Sequence, residues 1–388
     1  MTQPKADKKP NIIFLFSDTG GGHRSAAEAI IEALDLEFPD QYTSEMVDFY
    51  LEYAPFPFDQ AAATYAPMAQ IPDIWELGYK LCDGKHRSKF VQKILWPYVR
   101  RGVTRLVKEH PCDLFISVHS VVNIPLLRGL PANRPPYMTV VTDMVSTHAF
   151  WYNKKSDIVF VPTDEALQRG VSFGLDPAKI HVVGLPVADR FCHPVMDRAK
   201  LRERLGWPLN IPVVLLVSGG DGMGPLEETV RAIIDADLPV ALVVIAGRNK
   251  TLKERLETLR HKHTIFVYGF VTNMPEFMQA ADMIVTKAGP GTISEAFIAG
   301  LPIILYSRMP GQEEGNVDYV VNRGAGVWAP APKKVVATLR RWLNDPKERS
   351  EVVKISKSLA KPEASRVIAR YAMAMLGKIP FENVALNV

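Results

Sequence analysis

Two stretches hold the residues best placed to do chemistry. The first runs from Thr286 to Asn316, TKAGPGTISEAFIAGLPIILYSRMPGQEEGN. The apolar run Met283-Ile284-Val285 leads into it as the end of a buried strand. Gly289-Pro290-Gly291-Thr292 then reads as a tight turn into a helix over Ile293–Ala299, with Ser294 and Glu295 in its first turn. A helix N-terminus leaves N–H groups unpaired and carries partial positive charge, so this turn suits an anion such as a diphosphate. Glu295 places a carboxylate where it could accept hydrogen bonds from a ribose diol. A second strand, Pro302–Tyr306, runs into Met309-Pro310-Gly311-Gln312-Glu313, whose amide and carboxylate suit sugar hydroxyls. The spacing suggests one nucleotide-sugar pocket built on two adjacent strand ends. An ordinary strand–turn–helix with a glycine-rich connection shares the local pattern.

The second stretch surrounds His23. Asn11–Phe16 is a compact apolar run that reads as a buried strand. Gly20-Gly21-Gly22 lets the chain turn sharply, and Ser25–Leu36 has the composition of a helix. Strand, glycine loop and helix open a doubly wound α/β domain, whose ligands sit at the carboxyl ends of strands. A histidine at that crevice titrates near neutral pH and could take a proton from an acceptor hydroxyl; it could equally be a capping or packing residue. Asp18 either orients His23 or hydrogen-bonds the loop amides.

Together these stretches resemble the diacylglycerol glycosyltransferases related to monogalactosyldiacylglycerol synthase, in glycosyltransferase family 28. That family is itself similar to the transferase that makes lipid II in peptidoglycan assembly. Phe16 to Ala29, FSDTGGGHRSAAEA, matches the N-terminal motif, and Thr286 to Asn316 matches the donor motif. Ile116-Ser117-Val118-His119 and Val141-Thr142-Asp143 match intermediate blocks. The resemblance covers nearly the whole chain. It implies that His23, beside Gly22, is the general base. It places His148 and Trp151, in a loop with an exposed-looking aromatic, on the acceptor side. It also implies that the loop holding Gly219, Gly220 and Gly222 faces the donor diphosphate with Gly289, Gly291 and Thr292. The backbone at Phe270-Val271 would bind uracil, Glu295 the ribose, and Gln312, Glu313 and Asn316 the hexose. Gly315-Asn316 after PGQEE resembles the galactosyl branch, whereas Glu314 stands where a lysine is common in the family.

The chain as a whole bounds this reading. Its 388 residues suffice for two ordinary domains, and 47% apolar with 23% charged residues is a globular composition. No apolar run approaches the roughly 20 residues that span a bilayer. Met1–Pro10 is polar and lysine-rich, expected to be a mobile tail and not a secretory signal. Cys82, Cys112 and Cys192 lie far apart, which fits a reducing compartment and offers neither a disulfide framework nor a zinc site. The net charge is only +4, yet Lys80 to His110 holds nine Lys/Arg against two acids. These include Arg87, Lys89, Arg100 and Arg101, with Trp96 among them and Trp75 just before. Basic residues interleaved with aromatics suit the headgroup layer of an anionic membrane. An amphipathic helix with a solvated basic face would look the same, and the lipid acceptor of the resembling family favours the membrane. No nucleic-acid motif accompanies the charge.

The expected architecture is therefore α/β, two Rossmann-like domains facing a cleft in the GT-B arrangement. The domains are expected at 1–190 and 213–388 with a linker at 191–212, the last helix possibly returning to the first domain. His119 and Asp143, at strand ends, are expected to face the same crevice as His23. The expected reaction moves galactose from UDP-galactose to the free hydroxyl of 1,2-diacylglycerol with inversion. It would be run by a cytoplasmic protein peripheral on the membrane, with no cofactor or metal, since no DxD pair adjoins the diphosphate loops. UDP-glucose as donor, a polyprenyl-linked acceptor, and a membrane-docking UDP-sugar sensor without turnover remain the alternatives. Neither glycine loop fits the GxGxxG fingerprint of a dinucleotide oxidoreductase.

Overall fold

The computed structural model describes residues 8–19, 21–60, 72–193, 196–220, 224–259 and 264–384. The first seven residues of the expected tail, Gly20, Gly222 and the side chain of Trp75 lie outside the described residues.

Among the described residues the strands form two six-stranded, wholly parallel sheets. The first has the order β2(Thr43–Asp48), β1(Asn11–Phe16), β3(Leu114–Ser117), β4(Tyr137–Val140), β5(Ile158–Val161), β6(Ile180–Val182). The second has the order β12(Gly326–Trp328), β11(Ile303–Ser307), β10(Met283–Lys287), β7(Val213–Val217), β8(Ala241–Ile245), β9(Ile265–Tyr268). Parallel strands covered by helices on both faces must be apolar throughout, and β1, β3, β7, β8 and β10 are almost wholly buried.

The strand orders decide where ligands can sit. Strand order reverses between β1 and β3 in the first sheet and between β7 and β10 in the second. At such a switch point the connecting helices leave to opposite faces and open a crevice beyond the strand ends. The His23 loop follows β1, and His119 follows β3. The Gly219 loop follows β7, and Gly289 follows β10. The two candidate stretches thus occupy the two crevices that the topology creates.

Helix boundaries differ from the sequence expectation at one important place. Gly289 is the N-cap, and Pro290–Ala299 is already helical, so Gly291 and Thr292 belong to the first helical turn and not to a preceding loop. Proline at the first helical position has the right φ and no N–H to lose. Lys85–Glu109, which the basic composition left open, is one long helix. Val103 and Leu106 pack inward, whereas Phe90, Ile94 and Tyr98 are 65%, 52% and 64% exposed beside Lys89, Lys93, Arg100 and Arg101. Trp96 is partly buried against the inner core, under the guanidinium of Arg128 at 4.7 Å. Arg87 donates to the Lys80 carbonyl at 3.1 Å, near the end of the helix Pro72–Cys82.

The final helix, Ala364–Met375, packs on the helix Gly22–Glu37 through Val367, Ile368 and Ala372. Arg370 grips Glu37 with Nε and Nη2 at 2.7 and 2.6 Å. This helix therefore lies in the first sheet's layer although it follows the second sheet in sequence.

Candidate active site

Gly21 sets the first crevice. Its φ of 76° lies in the left-handed region that glycine occupies without strain, and it caps the helix that starts at Gly22. His23 thereby enters the first turn of that helix. Its Nδ1 lies 2.9 Å from the Val118 carbonyl oxygen and 2.8 Å from Thr142 Oγ1. A carbonyl can only accept, so Nδ1 carries the proton and Nε2 keeps the lone pair. Burial lowers the His23 pKa below 6.5, although the Asp143 carboxylate and the Val118 carbonyl pull the other way. The site therefore holds a neutral imidazole whose free nitrogen is a base.

The surrounding aromatic shell is tight. The His119 ring lies 4.4 Å from that of His23 and the Trp151 ring 6.2 Å. His119 Nε2 pairs with Thr19 Oγ1 at 3.0 Å, its Nδ1 is buried without a partner among the described residues, and burial drives its pKa well below 6.5. His119 and Asp143 do share the crevice of His23. Trp151 corrects its expectation: it is not an exposed aromatic but fully buried, and its indole N–H donates to Asp143 Oδ2 at 2.6 Å. His148 is also buried. Its Nδ1 accepts from the Phe150 N–H at 3.1 Å, which caps a short 3₁₀ turn, and its ring meets Tyr79 and Phe150.

Asp18 is a second correction. Its carboxylate does not touch His23; it takes Nε and Nη2 of Arg24 at 2.7 and 2.6 Å, and that pair holds its pKa down. The pair is 42% exposed on both sides, and exposed ion pairs contribute less than about 1 kcal/mol. Asp18→Asn is accordingly expected to lower turnover by less than roughly fivefold, measured beside a His23 variant.

Among the described residues the second crevice is lined by backbone and by cations, of which sequence reasoning missed Lys287. Gly219 has a φ of 79°, and a Cβ there would lie 3.1 Å from Cε of Lys287. A Cβ on Gly289 would lie 3.6 Å from the same lysine. Lys287, the last residue of β10, thus stands between the two glycine loops. Its Nζ donates to Glu313 Oε1 at 2.9 Å, and Glu313 Oε2 accepts the Met309 N–H at 2.8 Å. Its signal in the sequence was position alone, a cation at the carboxyl end of a switch-point strand. Phe270 is 58% exposed beneath the Arg248 guanidinium at 4.7 Å, and the Arg248 N–H donates to the Gly220 carbonyl at 2.8 Å. Val271 is half-buried beside it. Burial raises the Glu295 pKa to about 7, with Arg190 opposing the rise.

Among the described residues, several of the buried polar atoms without a protein partner lie at these strand ends. They include Ser218 Oγ after β7, Thr286 Oγ1 on β10, Tyr306 Oη on β11 and Gln312 Oε1. Buried polar groups are normally paired, so such a cluster marks where a polar ligand belongs. The two crevices also meet. Gln312 Nε2 donates to Asp143 Oδ1 at 3.2 Å, and the Gly315 N–H donates to Ser146 Oγ at 2.9 Å. Asn316 accepts the Val145 N–H at 3.2 Å and donates to the Ala288 carbonyl at 2.9 Å. A Cβ on Gly315 would come within 2.7 Å of Ser146 Oγ and Val145 Cγ1. In this structure Gly315-Asn316, read from sequence as a sugar signature, is the seam between the two halves.

Two facing Rossmann-type sheets, with a neutral imidazole in one crevice and glycine loops at helix ends in the other, make a GT-B fold. Solved structures share this fold. One is a UDP complex of MnaA from S. aureus, with 15% identity over 95% of this chain and 98% of that one and a TM-score of 0.64. Another is MurG from Acinetobacter baumannii, with 16% identity over 93% and 99% and a TM-score of 0.61. The model of the monogalactosyldiacylglycerol synthase family matches residues 23–187, and that of group 1 glycosyl transferases matches 197–359. Monogalactosyldiacylglycerol synthase 1, chloroplastic, of Arabidopsis thaliana is 37% identical over 93% of this chain and 70% of its own. The chloroplastic synthase of Spinacia oleracea is 40% identical over 88% and 67%. The chain belongs to the monogalactosyldiacylglycerol synthase family and is a hexosyltransferase.

Proposed function

We propose that the protein transfers galactose from UDP-galactose to the free hydroxyl of 1,2-diacylglycerol and inverts the anomeric carbon. One observation carries the mechanism: the Val118 carbonyl fixes the His23 proton on Nδ1, so Nε2 is a ready base in the cleft. The acceptor oxygen attacks C1 of the hexose as its proton passes to His23 Nε2. The bond from C1 to the diphosphate oxygen breaks, and its electron pair leaves with UDP. The helix starting at Pro290, the Gly219–Gly220 backbone and Lys287 offset the charge that develops there. Glu295 takes the ribose, Phe270 and Val271 the uracil, and Gln312 with its unpartnered Oε1 a hexose hydroxyl. Galactose as the sugar rests on the relatives, which are monogalactosyldiacylglycerol synthases.

The test is product analysis of the protein with diacylglycerol in anionic micelles, offered UDP-galactose and UDP-glucose separately. Galactolipid supports the proposal. Glucolipid alone keeps the mechanism and replaces the sugar. No lipid product from either donor turns the reading to a polyprenyl-linked acceptor or to a sensor without turnover. Because cationic groups and helix ends are assigned the leaving charge, turnover is expected to survive EDTA; a collapse would overturn that assignment.

No helix among the described residues is long and apolar enough to cross a membrane. We place the protein on the cytoplasmic side of an anionic membrane, docked by the outer face of Lys85–Glu109. Each basic residue near such a surface contributes about 1 kcal/mol, so replacing Lys89, Lys93, Arg100 and Arg101 by Gln is expected to lower vesicle partitioning roughly a thousandfold. Sedimentation with phosphatidylglycerol vesicles measures it. Unchanged partitioning would move the docking face elsewhere.

A further inference from the structure

The polar cleft leaves unexplained an apolar recess beside it. It lies under the basic helix and opens in part to solvent. Leu95, Trp96 and Val99 of that helix form one wall, and Val121 and Ile124 of the helix Ser120–Gly129 form the other. Its exposed wall is mostly apolar, with Tyr50, Gln92 and Arg128 as the polar members, which makes it a better host for hydrocarbon than for a nucleotide or a sugar.

Its position is as informative as its lining. At the inner end Tyr50 lies 5.7 Å from the His119 ring, which in turn lies 4.4 Å from His23. Phe150, also part of the wall, lies 4.4 Å from His148. On the outer side the same helix presents its lysines and arginines with exposed Phe90, Ile94 and Tyr98. The recess therefore joins the face whose charge complements an anionic membrane to the aromatic shell around the base.

We infer that this recess holds one acyl chain of the acceptor lipid. The chain passes beneath the basic helix while the glycerol hydroxyl comes to His23 Nε2. The inference rests on a diacylglycerol acceptor, and the test separates the two. A diacylglycerol with a diazirine at the end of one chain is presented in phosphatidylglycerol-containing vesicles, irradiated with the full chain, and the labelled peptides are mapped. Label is expected in the peptides carrying Leu95–Val99 and Val121–Ile124. Ile124→Trp, which fills the recess, is expected to reduce that label and to shift the acceptor profile toward short chains by at least about tenfold, the order seen when a pocket denies methylenes. Leu95→Trp fills it from the other wall and serves where the first variant does not fold. Label confined to other peptides, or an unchanged chain-length profile in both variants, overturns the inference. Glycolipid made with label elsewhere would keep the transferase and lose the recess. Label in the recess without glycolipid from either donor would keep the recess as a lipid site and lose the transferase.

Discussion

His23→Ala is expected to lower kcat by about a hundred- to ten-thousandfold, the contribution of a positioned general base. The geometry says why the effect should fall on kcat and not on donor binding. His23 sits in the first crevice, held by Val118 and Thr142, and none of its described contacts reaches the glycine loops after β7 and β10. UDP binding measured by calorimetry should therefore be unchanged in the variant. Lost UDP affinity together with lost turnover would mean that the residue shapes the cleft instead of taking a proton.

The pH profile gives an independent handle. A base works in its neutral form, and burial lowers the His23 pKa below 6.5. Turnover should hold through neutral pH and fall only on the acid side of 6.5. Asp143 raises that pKa, so Asp143→Asn should move the acid limb to still lower pH. Stability follows the same sign through His119. Its folded pKa lies well below 6.5, so as pH falls through 6.5 the unfolded chain takes up a proton that the folded chain refuses. Denaturant midpoints should decline across that point. A turnover profile with no fall on the acid side of 6.5 would return His23 to a packing role.

How much of this was legible in the sequence depended on the distance over which each feature is decided. The strand ends and glycine loops were readable because apolar runs and glycines are local signals, and the topology then put them at the switch points. Pro290 misled because a proline between glycines resembles a turn, yet the first helical position is where proline is best tolerated. Edge strand β2 alternates poorly and is mostly polar, and β12 is three residues long, so neither announces itself. The larger misses were all pairings. Trp151 is inside because Asp143 waits for its indole. Asp18 is taken by Arg24, on the first turn of the following helix. Asn316 and Gly315 face Val145 and Ser146 from the far end of the chain. No local pattern encodes such partners.

Lys287→Met is expected to act twice, and a second substitution separates the two effects. Glu313 has only 6% of its side chain exposed, and Lys287 is its cationic partner at 2.9 Å. Removing one member of a buried pair leaves the other uncompensated, at a cost of about 3–5 kcal/mol, visible as a lower denaturant midpoint. The same substitution withdraws the ammonium between Gly219 and Gly289. A hydrogen bond to a charged group contributes about 1.5–3 kcal/mol, so the KM for the UDP-hexose should rise by roughly ten- to a hundredfold. Lys287→Met combined with Glu313→Gln removes the stranded charge and should recover most of the stability. Donor affinity should stay lost, because the glutamine restores no cation. If the double variant recovers donor affinity together with stability, Lys287 is only a strut for Glu313, and the diphosphate rests on the helix end and the glycine backbone alone.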